Sequence, residues 1–445
     1  MISLFKKLLS PHRLHLIKNA RLLLVERFLQ LIINLIVVST TAKTLGATNF
    51  GMINYSIALY ELLGFISDLG VDNIAVREFV KGEYKLSKLL GSIFAVKIMG
   101  TFVVGLIVFL FNNGSTQQVT LTYIVAGCLF FEPFKLLLFY LQARTDMTAI
   151  VYARIGPFIL CSVIKLLMLY FHMNLYSFVA VIVLENLLTA CLLYYFYSKQ
   201  KNCCTLTQWR PSLSVSLELL KNSFPLIFSN AFKLGLFRLD QIMLSNMISN
   251  TELGYYASAY KISHALFFIP TILYAIYFPF IVEAKKQSHE AYMKRLKTFY
   301  ALLAITAYVP AIIFTLSANI AIHFLFGQEY ITAVPILIVQ IWSLLFVNIE
   351  AARSAYLFTE NKTYFYSFST MLGCMSNILL NLALVPRFHG LGAAIASLVS
   401  LAITGYFSGF LFKEIHGQTI ILTKIFFCPY KELTKLYKDL TSSQL

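Results

Sequence analysis

Ionisable side chains inside apolar segments are the residues of this sequence that could do chemistry. Eight basic residues fall within predicted membrane spans: Arg27, Lys97, Lys135, Lys165, Lys233, Arg238, Lys261 and Arg353. Seven acidic residues accompany them: Glu26, Glu61, Asp68, Glu132, Glu185, Asp240 and Glu350. A charge at the bilayer centre costs about 2.5–3.5 kcal/mol on insertion scales, so such residues normally face a polar interior. The composition of this set predicts a hydrated, mostly cationic cavity that suits an anionic substrate.

Spacing along the predicted helices pairs some of these charges. Two acid–base pairs have a spacing of three residues: Glu132 with Lys135, and Glu350 with Arg353. Residues three apart share one helix face, so each acid is expected to neutralise its base. Lysines near span ends have a second option, because a long side chain can reach the membrane surface. Lys97, Lys135 and Lys165 are the candidates for this snorkelling.

The seventh predicted span carries three charges. Lys233 and Asp240 are seven residues apart, which is two turns along one face, while Arg238 points elsewhere. Two interpretations of Asp240 stay open. It balances a cation so that the helix can insert, or it couples transport to protons.

Composition places these charges in a membrane protein. Of the 445 residues, 58% are apolar and 13% are charged, and the mean hydropathy is +0.74. Soluble domains carry about 25% charged residues, so the composition excludes a soluble enzyme, a nucleic-acid binder and a secreted disulfide scaffold. The apolar residues suffice for roughly twelve spans of ~20 residues. Since helices satisfy their own backbone hydrogen bonds in lipid, we predict an all-α polytopic membrane protein with about twelve transmembrane helices.

The apolar runs fall into two groups of six. They are 20–43, 50–72, 90–111, 119–141, 155–172, 175–198, then 223–247, 254–282, 298–322, 332–358, 364–385 and 390–412. The predicted organisation is a basic N-terminal segment 1–19, a six-helix bundle 20–198, a linker 199–222, a second six-helix bundle 223–412 and a basic tail 413–445. The tail is expected either to lie on the inner membrane surface as an amphipathic helix or to be solvated.

Basic residues accumulate on one side of the predicted topology. With the N-terminus inside, the opposite side holds only Lys43 and Arg387 among the loop residues. The positive-inside rule therefore predicts that both termini and the linker are cytoplasmic. The net charge of +16 follows from these loops and needs no nucleic acid to explain it.

The two halves of the chain share a short motif. Thr48-Asn49-Phe50-Gly51 precedes the second span, and Thr251-Glu252-Leu253-Gly254 precedes the eighth, 203 residues later. Both halves would start inside, so the sequence predicts a parallel duplication of a six-helix unit. A duplicated bundle with its site between the halves is a common transporter plan.

Catalytic and metal-binding motifs are not found in the sequence. It contains no HExxH, GxSxG, Walker A or CxxC pattern, and its seven cysteines do not suggest a disulfide framework. We therefore predict no catalytic residue, no metal site and no cofactor, and a protein that is not an enzyme.

A series of motifs resembles one family. The central ones are Arg238-Leu239-Asp240-Gln241, Gly254-Tyr255-Tyr256-Ala257-Ser258-Ala259-Tyr260-Lys261, Pro270 and Pro279. Around them lie Asp68-Leu69-Gly70, Phe326-Gly327-Gln328-Glu329-Tyr330, Asn377, Asn381, Pro386 and Gly390-Leu391-Gly392-Ala393-Ala394. Together they resemble the Wzx-type O-antigen and polysaccharide repeat-unit flippases of the multidrug/oligosaccharidyl-lipid/polysaccharide (MATE-like) superfamily. The matches follow the family's order over nearly the whole chain.

The resemblance implies two six-helix bundles around a central cationic cleft that works by alternating access. The implied substrate is an undecaprenyl-pyrophosphate-linked oligosaccharide, moved from the cytoplasmic to the periplasmic leaflet of the bacterial inner membrane. The implied partners, besides the lipid bilayer, are a polysaccharide polymerase and a chain-length regulator. The first, second, seventh and eighth helices line the cleft in this fold. The residues nominated for substrate binding are Arg21, Arg27, Lys233, Arg238, Lys261 and Arg353, and those for ion coupling are Glu61 and Asp240.

Two other functions stay open. A small-molecule efflux antiporter of the same fold would have an acid-rich cavity for organic cations, whereas the predicted interior is basic. A membrane polysaccharide polymerase needs a sizeable outer loop, and the predicted outer loops are short. Twelve spans are two fewer than in the fourteen-helix lipid II flippases, which makes the cell-wall precursor a less favoured cargo.

Overall fold

Helices make up nearly all of the computed structural model, which describes residues 11–111, 114–201 and 203–427. In chain order they are α1 (Pro11–Asp68), α2 (Asp72–Lys81), α3 (Leu86–Phe111), α4 (Thr116–Ala126), α5 (Leu136–Ala143), α6 (Met147–Tyr170), α7 (Leu175–Ser198), α8 (Leu213–Met247), α9 (Asn250–Ala265), α10 (Phe268–Gln287), α11 (His289–Phe326), α12 (Ala333–Ile341), α13 (Ser343–Thr359), α14 (Thr363–Gly405) and α15 (Lys413–Phe427). Short 3₁₀ segments span Gly127–Lys135, Leu206–Gln208, Gln328–Tyr330 and Phe407–Phe410. These described ranges contain no strand.

Two of the helices are too long to be single spans. With 58 and 43 residues, α1 and α14 would extend to about 87 and 65 Å at ~1.5 Å per residue, against a hydrocarbon core of ~30 Å. Each contains one residue with non-helical backbone, Gly46 (φ 76°, ψ 166°) in α1 and His389 (φ 50°, ψ −130°) in α14. Because these breaks lie between predicted neighbouring spans, each long helix carries two spans.

The number of spans agrees with the sequence. Within the described ranges, nine helical stretches are long and apolar enough to cross a membrane, and two of them contain the breaks at Gly46 and His389. The predicted seventh span, α8, is not one of the nine because its polar residues, including Lys233, Arg238 and Asp240, lower its hydropathy. Counting each broken stretch twice and adding α8 gives twelve spans. The all-α polytopic class is confirmed.

Contacts divide the chain into two compact units. Unit 1 contains the chain through Thr44 and then Ser56–Ala231, and unit 2 contains Leu45–Tyr55 and the chain from Phe232 onward. The division differs from the predicted bundle boundaries at two points. The first residues of the second span belong to unit 2, and the linker with the first half of α8 belongs to unit 1.

The linker 199–222 is anchored in the core of unit 1 rather than running free. Its Trp209 packs edge-to-face on Tyr197 of α7, with ring centroids 6.1 Å apart. Both rings donate to the carbonyl oxygen of Cys204, Tyr197 from its hydroxyl at 2.8 Å and Trp209 from Nε1 at 3.2 Å. These contacts and the apolar residues of α2, α3, α5, α6 and α7 form the main core of this unit.

The described part of the C-terminal tail also packs inward. Helix α15 buries Leu422, Ile425 and Phe426 against α11 and α13 of unit 2. The Tyr308 hydroxyl donates to the carbonyl oxygen of Phe426 at 3.0 Å. The solvated alternative is therefore wrong for 413–427, because an apolar face of α15 lies against protein. The location of this helix on the inner membrane surface stays a prediction. Residues 428–445 lie outside the described ranges.

The repeated Thr-x-x-Gly motif forms a reciprocal contact within unit 2. The Oγ1 atoms of Thr48 and Thr251 are 2.8 Å apart. A Cβ added to Gly51 would lie 1.7 Å from a backbone oxygen of α9, and one added to Gly254 would lie 2.0 Å from a backbone oxygen of the second span. Two helices cross here at a separation that only glycine permits. The mirrored contacts support the predicted duplication.

Carboxylates cap two helix starts next to this crossing. The N–H of Ala47 donates to Glu329 Oε1 at 2.9 Å, and the N–H of Gly390 donates to Glu252 Oε2 at 3.3 Å. Each amide follows a backbone break, so it belongs to the first turn of a new helix, where N–H groups have no partner within the helix. A negative charge is also favoured at a helix N-terminus.

Alanine at either crossing glycine is expected to destabilise the protein. Gly51→Ala or Gly254→Ala would drive Cβ into backbone oxygens, and overpacking of this kind costs about 1–3 kcal/mol. Thermal unfolding of the purified protein in detergent measures the loss. Gly64→Ala and Gly105→Ala are matched controls, because an added Cβ there meets nothing within 4 Å. Equal melting temperatures for the two groups of variants would contradict the tight crossing.

Candidate functional site

Asp240 is a buried carboxylate inside unit 2, with 1% of its surface exposed. Helix α8 places it against α9 and α14. Its Oδ2 atom accepts a hydrogen bond from the Tyr256 hydroxyl and another from Ser397 Oγ at 2.8 Å. Its Oδ1 atom accepts from the N–H of Gln241 at 2.8 Å. A buried carboxylate costs free energy unless it is hydrogen-bonded, and here three neutral donors supply the bonds.

A small cavity of ≈ 20 Å³ with both polar and apolar walls adjoins Asp240. Its walls are Leu236, Phe237, Asp240, Tyr256, Tyr260, Ser263, Phe267, Gln340, Ser343, Ser397 and Leu401. Gln340 Nε2 and Ser343 Oγ are buried without a hydrogen-bond partner from the protein. A space of this size holds about one water-sized group, and such a group could bond to these atoms and to Asp240.

A ladder of rings runs along α9 beside this cavity. Tyr256 stacks on Tyr260 with centroids 6.2 Å apart, and Tyr260 stacks on His264 at 4.9 Å. The spacing of four residues puts these rings on one helix face. The guanidinium of Arg238 lies 5.4 Å from the centroid of the Tyr260 ring, within cation–π range. Lys261 follows Tyr260 directly on α9 and is half-buried.

Lys233 lies in a separate polar chain of unit 2. Its Nζ atom donates to the Tyr366 hydroxyl at 3.3 Å, and that hydroxyl donates to Glu350 Oε1 at 3.1 Å. Lys233 itself is exposed, whereas Asp240 two turns along the same helix is buried. Lys233 and Asp240, which are predicted to share one helix face, therefore lie in different environments.

Arg353 is enclosed within unit 2, with 2% of its surface exposed. Its guanidinium donates to Ser408 Oγ at 2.7 Å and to the carbonyl oxygen of Thr404. Glu350, three residues earlier, accepts from Tyr366 instead. Glu350 still acts on Arg353 electrostatically, as the shared helix face predicts, but the direct hydrogen bonds of the guanidinium go to the end of α14 and the 3₁₀ turn after it.

The nominated residues of unit 1 are distributed along α1. Arg27 is exposed near the start of the first span, and Glu61 is half-buried in the second. The side chain of Arg21 lies outside the described part of the structure. The structure brings Arg238, Asp240 and Lys261 onto the adjoining helices α8 and α9, and it places Lys233 and Arg353 in other environments of the same unit.

Three internal lysines of unit 1 have acidic partners. Sequence spacing predicted one of these pairs and did not predict the others. Lys135 lies 2.5 Å from Glu132 Oε1, which confirms the predicted pair. Lys165 lies 2.9 Å from Glu185 Oε2 on the next helix. Lys97 is fully buried between two carboxylates, so the prediction that it snorkels is wrong. Apolar patterns identify such lysines but do not identify partners on other helices.

Comparisons with known proteins agree with this fold. The family model described as "Polysaccharide biosynthesis protein" matches residues 16–285. A search of curated protein sequences finds no match to this chain. An inward-facing multidrug resistance MATE family transporter is 12% identical over 91% of this chain and 99% of its own, with a TM-score of 0.69. The lipid II flippase MurJ, in an inward closed conformation, is 14% identical over 94% of this chain and 92% of its own, with a TM-score of 0.73.

A third structure, the eukaryotic MATE transporter AtDTX14, is 15% identical over 95% of this chain and 97% of its own, with a TM-score of 0.57. At these identities the structural matches establish the fold alone. Together with the family model they confirm the resemblance that the sequence motifs indicated.

Replacing Arg353 is expected to reduce stability. Arg353→Gln removes the charged donor to Thr404 and Ser408, and losing a hydrogen bond of this kind costs about 1–3 kcal/mol. Thermal unfolding in detergent checks the change. Lys233→Gln is the control, because Lys233 is exposed and its removal leaves the interior of unit 2 intact. An Arg353 variant that melts like the parent protein yet loses transport would instead favour a contact with substrate.

Proposed function

Because the chain belongs to the polysaccharide biosynthesis protein family, we propose that it is a flippase for lipid-linked oligosaccharides. Its substrate would be an undecaprenyl-pyrophosphate-linked repeat unit of O-antigen or capsule, moved by alternating access from the cytoplasmic to the periplasmic leaflet. The chain would then act as a transporter of the bacterial inner membrane, with both termini cytoplasmic, and not as an enzyme. A polysaccharide polymerase and a chain-length regulator would act on its product.

The observation that carries this proposal is the placement of basic side chains beside the Asp240 cavity of unit 2. The Arg238 guanidinium lies over the ring of Tyr260, which lines that cavity, and Lys261 follows Tyr260 on α9. Lys233 of α8 donates to the Tyr366 hydroxyl. A pyrophosphate crossing ~30 Å of hydrocarbon needs such cations, and Lys and Arg are suited to phosphate.

We assign the phosphate contacts first to Arg238, two residues from Asp240 on α8, and to Lys261, which follows the cavity-lining Tyr260 on α9. Arg21, Arg27 and Lys233 remain nominated in support. Arg353 is the least suited of the six, because Ser408 and Thr404 already occupy its guanidinium.

Asp240 is our candidate for ion coupling, ahead of Glu61. Its hydrogen-bond partners Tyr256 and Ser397 are neutral hydroxyls, so a proton arriving at the carboxyl would change the net charge of this cluster by one unit. A charge that appears and disappears inside the membrane provides the difference in free energy that coupled transport requires.

A second candidate function is multidrug efflux, which the likeness to a multidrug MATE transporter favours. The basic residues that α8 and α9 carry beside the Asp240 cavity are better matched to an anionic substrate than to organic cations. A deletion strain separates the two. Completed lipid-linked units retained on the cytoplasmic leaflet support the flippase, whereas increased drug sensitivity with normal polysaccharide supports efflux.

Neutralising the two assigned cations is expected to slow flipping. Arg238→Gln and Lys261→Gln should each reduce the rate by about tenfold or more, because a charge-assisted hydrogen bond contributes about 1.5–3 kcal/mol. The measurement is the leaflet distribution of lipid-linked repeat units in a deletion strain expressing each variant. Lys286→Gln and Lys294→Gln, at exposed positions of α10 and α11, are controls of equal charge change. Surface polysaccharide at parental levels in the double variant would refute the assignment.

Asp240→Asn is expected to uncouple transport from the proton gradient. The amide keeps the shape of the side chain but cannot bind and release a proton. Flipping in vesicles should fall to the rate seen without a gradient, while the protein still inserts and melts cooperatively. A variant that still responds fully to the gradient would transfer the role to Glu61, whose Glu61→Gln substitution is the paired measurement.

A further inference from the structure

Lys97 of α3 lies between two carboxylates in unit 1. Its Nζ atom is 2.8 Å from Asp68 Oδ1 and 2.7 Å from Asp72 Oδ1, and its side chain is fully buried. The Asp68 and Asp72 side chains are 31% and 21% exposed, respectively. The ammonium is therefore sealed inside the unit, while the carboxylates on either side of it remain within reach of solvent.

The turn between α1 and α2 fixes the two aspartates. Asp68 is the last residue of α1, and Asp72 is the first residue of α2. Leu69 and Gly70 between them both have positive φ, 45° and 69°. The Ser223 hydroxyl of α8 donates to the carbonyl oxygen of Leu69 at 2.8 Å and holds the turn in place. The conformation of this turn therefore places the carboxylates of Asp68 and Asp72 next to Lys97.

The charges of this triad do not balance. Two carboxylates share one ammonium, whereas Lys165 and Glu185 in the same unit pair one to one. An uncompensated charge in a poorly solvated position is unfavourable, and binding a proton is the simplest way to remove it. Burial raises the pKa of the Asp72 carboxyl to about 7, against the opposing effect of Lys97 and with a smaller contribution from Asp68.

Within the described ranges, Lys97 is the ion-pair partner of both Asp68 and Asp72. The groups that act most strongly on Asp72 are Lys97 from α3 and Asp68 from α1. Arg77 and Lys81 of α2 pair with Glu78, and the Tyr60 hydroxyl of α1 donates to Glu132. The Tyr140 hydroxyl of α5 is buried without a hydrogen-bond partner, and α8 packs Ser223 and Ile227 against the turn at Gly70.

We propose that Asp68, Lys97 and Asp72 form a proton-binding site of unit 1, in which a proton from water binds the Asp72 carboxylate while Lys97 stays charged. Binding changes the net charge of the triad from −1 to zero and breaks no covalent bond. The site is separate from Asp240, which belongs to unit 2, and its existence does not depend on the proposed flippase activity.

Infrared difference spectroscopy of the purified full-length protein tests this proposal directly. A carbonyl band of a protonated carboxylic acid should appear as the pH falls through about 7, and Asp72→Asn should remove it. Glu185→Gln is the control and should leave the band unchanged. Gel filtration and thermal unfolding establish that each variant is folded.

Asp68→Asn provides the sharper test, because it leaves a balanced Lys97–Asp72 pair that keeps the lysine satisfied. Removing the neighbouring negative charge should lower the midpoint of the Asp72 band by about one pH unit or more. A band that persists in Asp72→Asn, or a midpoint unchanged in Asp68→Asn, would overturn the proposal. A parent protein that shows the band but does not flip lipid-linked units would count against the flippase assignment alone.

Discussion

The need to compensate every charge inside the membrane is the constraint on which the rest of this structure depends. Unit 1 contains ion pairs between helices, such as Lys165–Glu185, and unit 2 contains the pair Lys285–Glu360. Unit 2 also surrounds buried charged groups with neutral partners, hydroxyls at Asp240 and a hydroxyl and a backbone carbonyl at Arg353. An ion pair cancels the net charge of its two members, whereas a neutral partner satisfies a charged group without changing its charge.

Much of the fold could be predicted from the sequence, because the membrane restricts long apolar segments to helices that span it. Runs of about twenty apolar residues have one stable conformation in lipid, and this gave the twelve spans. Helix ends were less predictable. Helix α8 begins at Leu213 rather than near 223, and Asp72 begins a new helix rather than ending a span, since both ends depend on packing outside the hydrocarbon core.

The candidate site was predicted by residue type but not by arrangement. Asp240 and Arg238 were nominated from charge and motif, and both lie beside the cavity or its rings. The acceptors of Arg353 are 51 and 55 residues away in sequence, and Lys97 bridges two aspartates across a turn with positive φ. Such contacts arise from the tertiary fold, and no helical periodicity encodes them. The motifs that resemble the family also hold residues with different structural roles. Glu329 caps the N-terminus of a helix, whereas Asp240 lines the cavity.

The crossing of Gly51 and Gly254 has a consequence for how the two halves of the gene can diverge. Glycine has no smaller substitute, so a larger residue in one copy cannot be offset by a reduction in the other. At other helix contacts a larger side chain on one helix can be accommodated by a smaller one on its neighbour, so the sequences of the two halves can become different. At this contact neither residue can be made smaller to accommodate a larger partner, so a duplicated chain would keep both glycines here even where the rest of its two halves diverged.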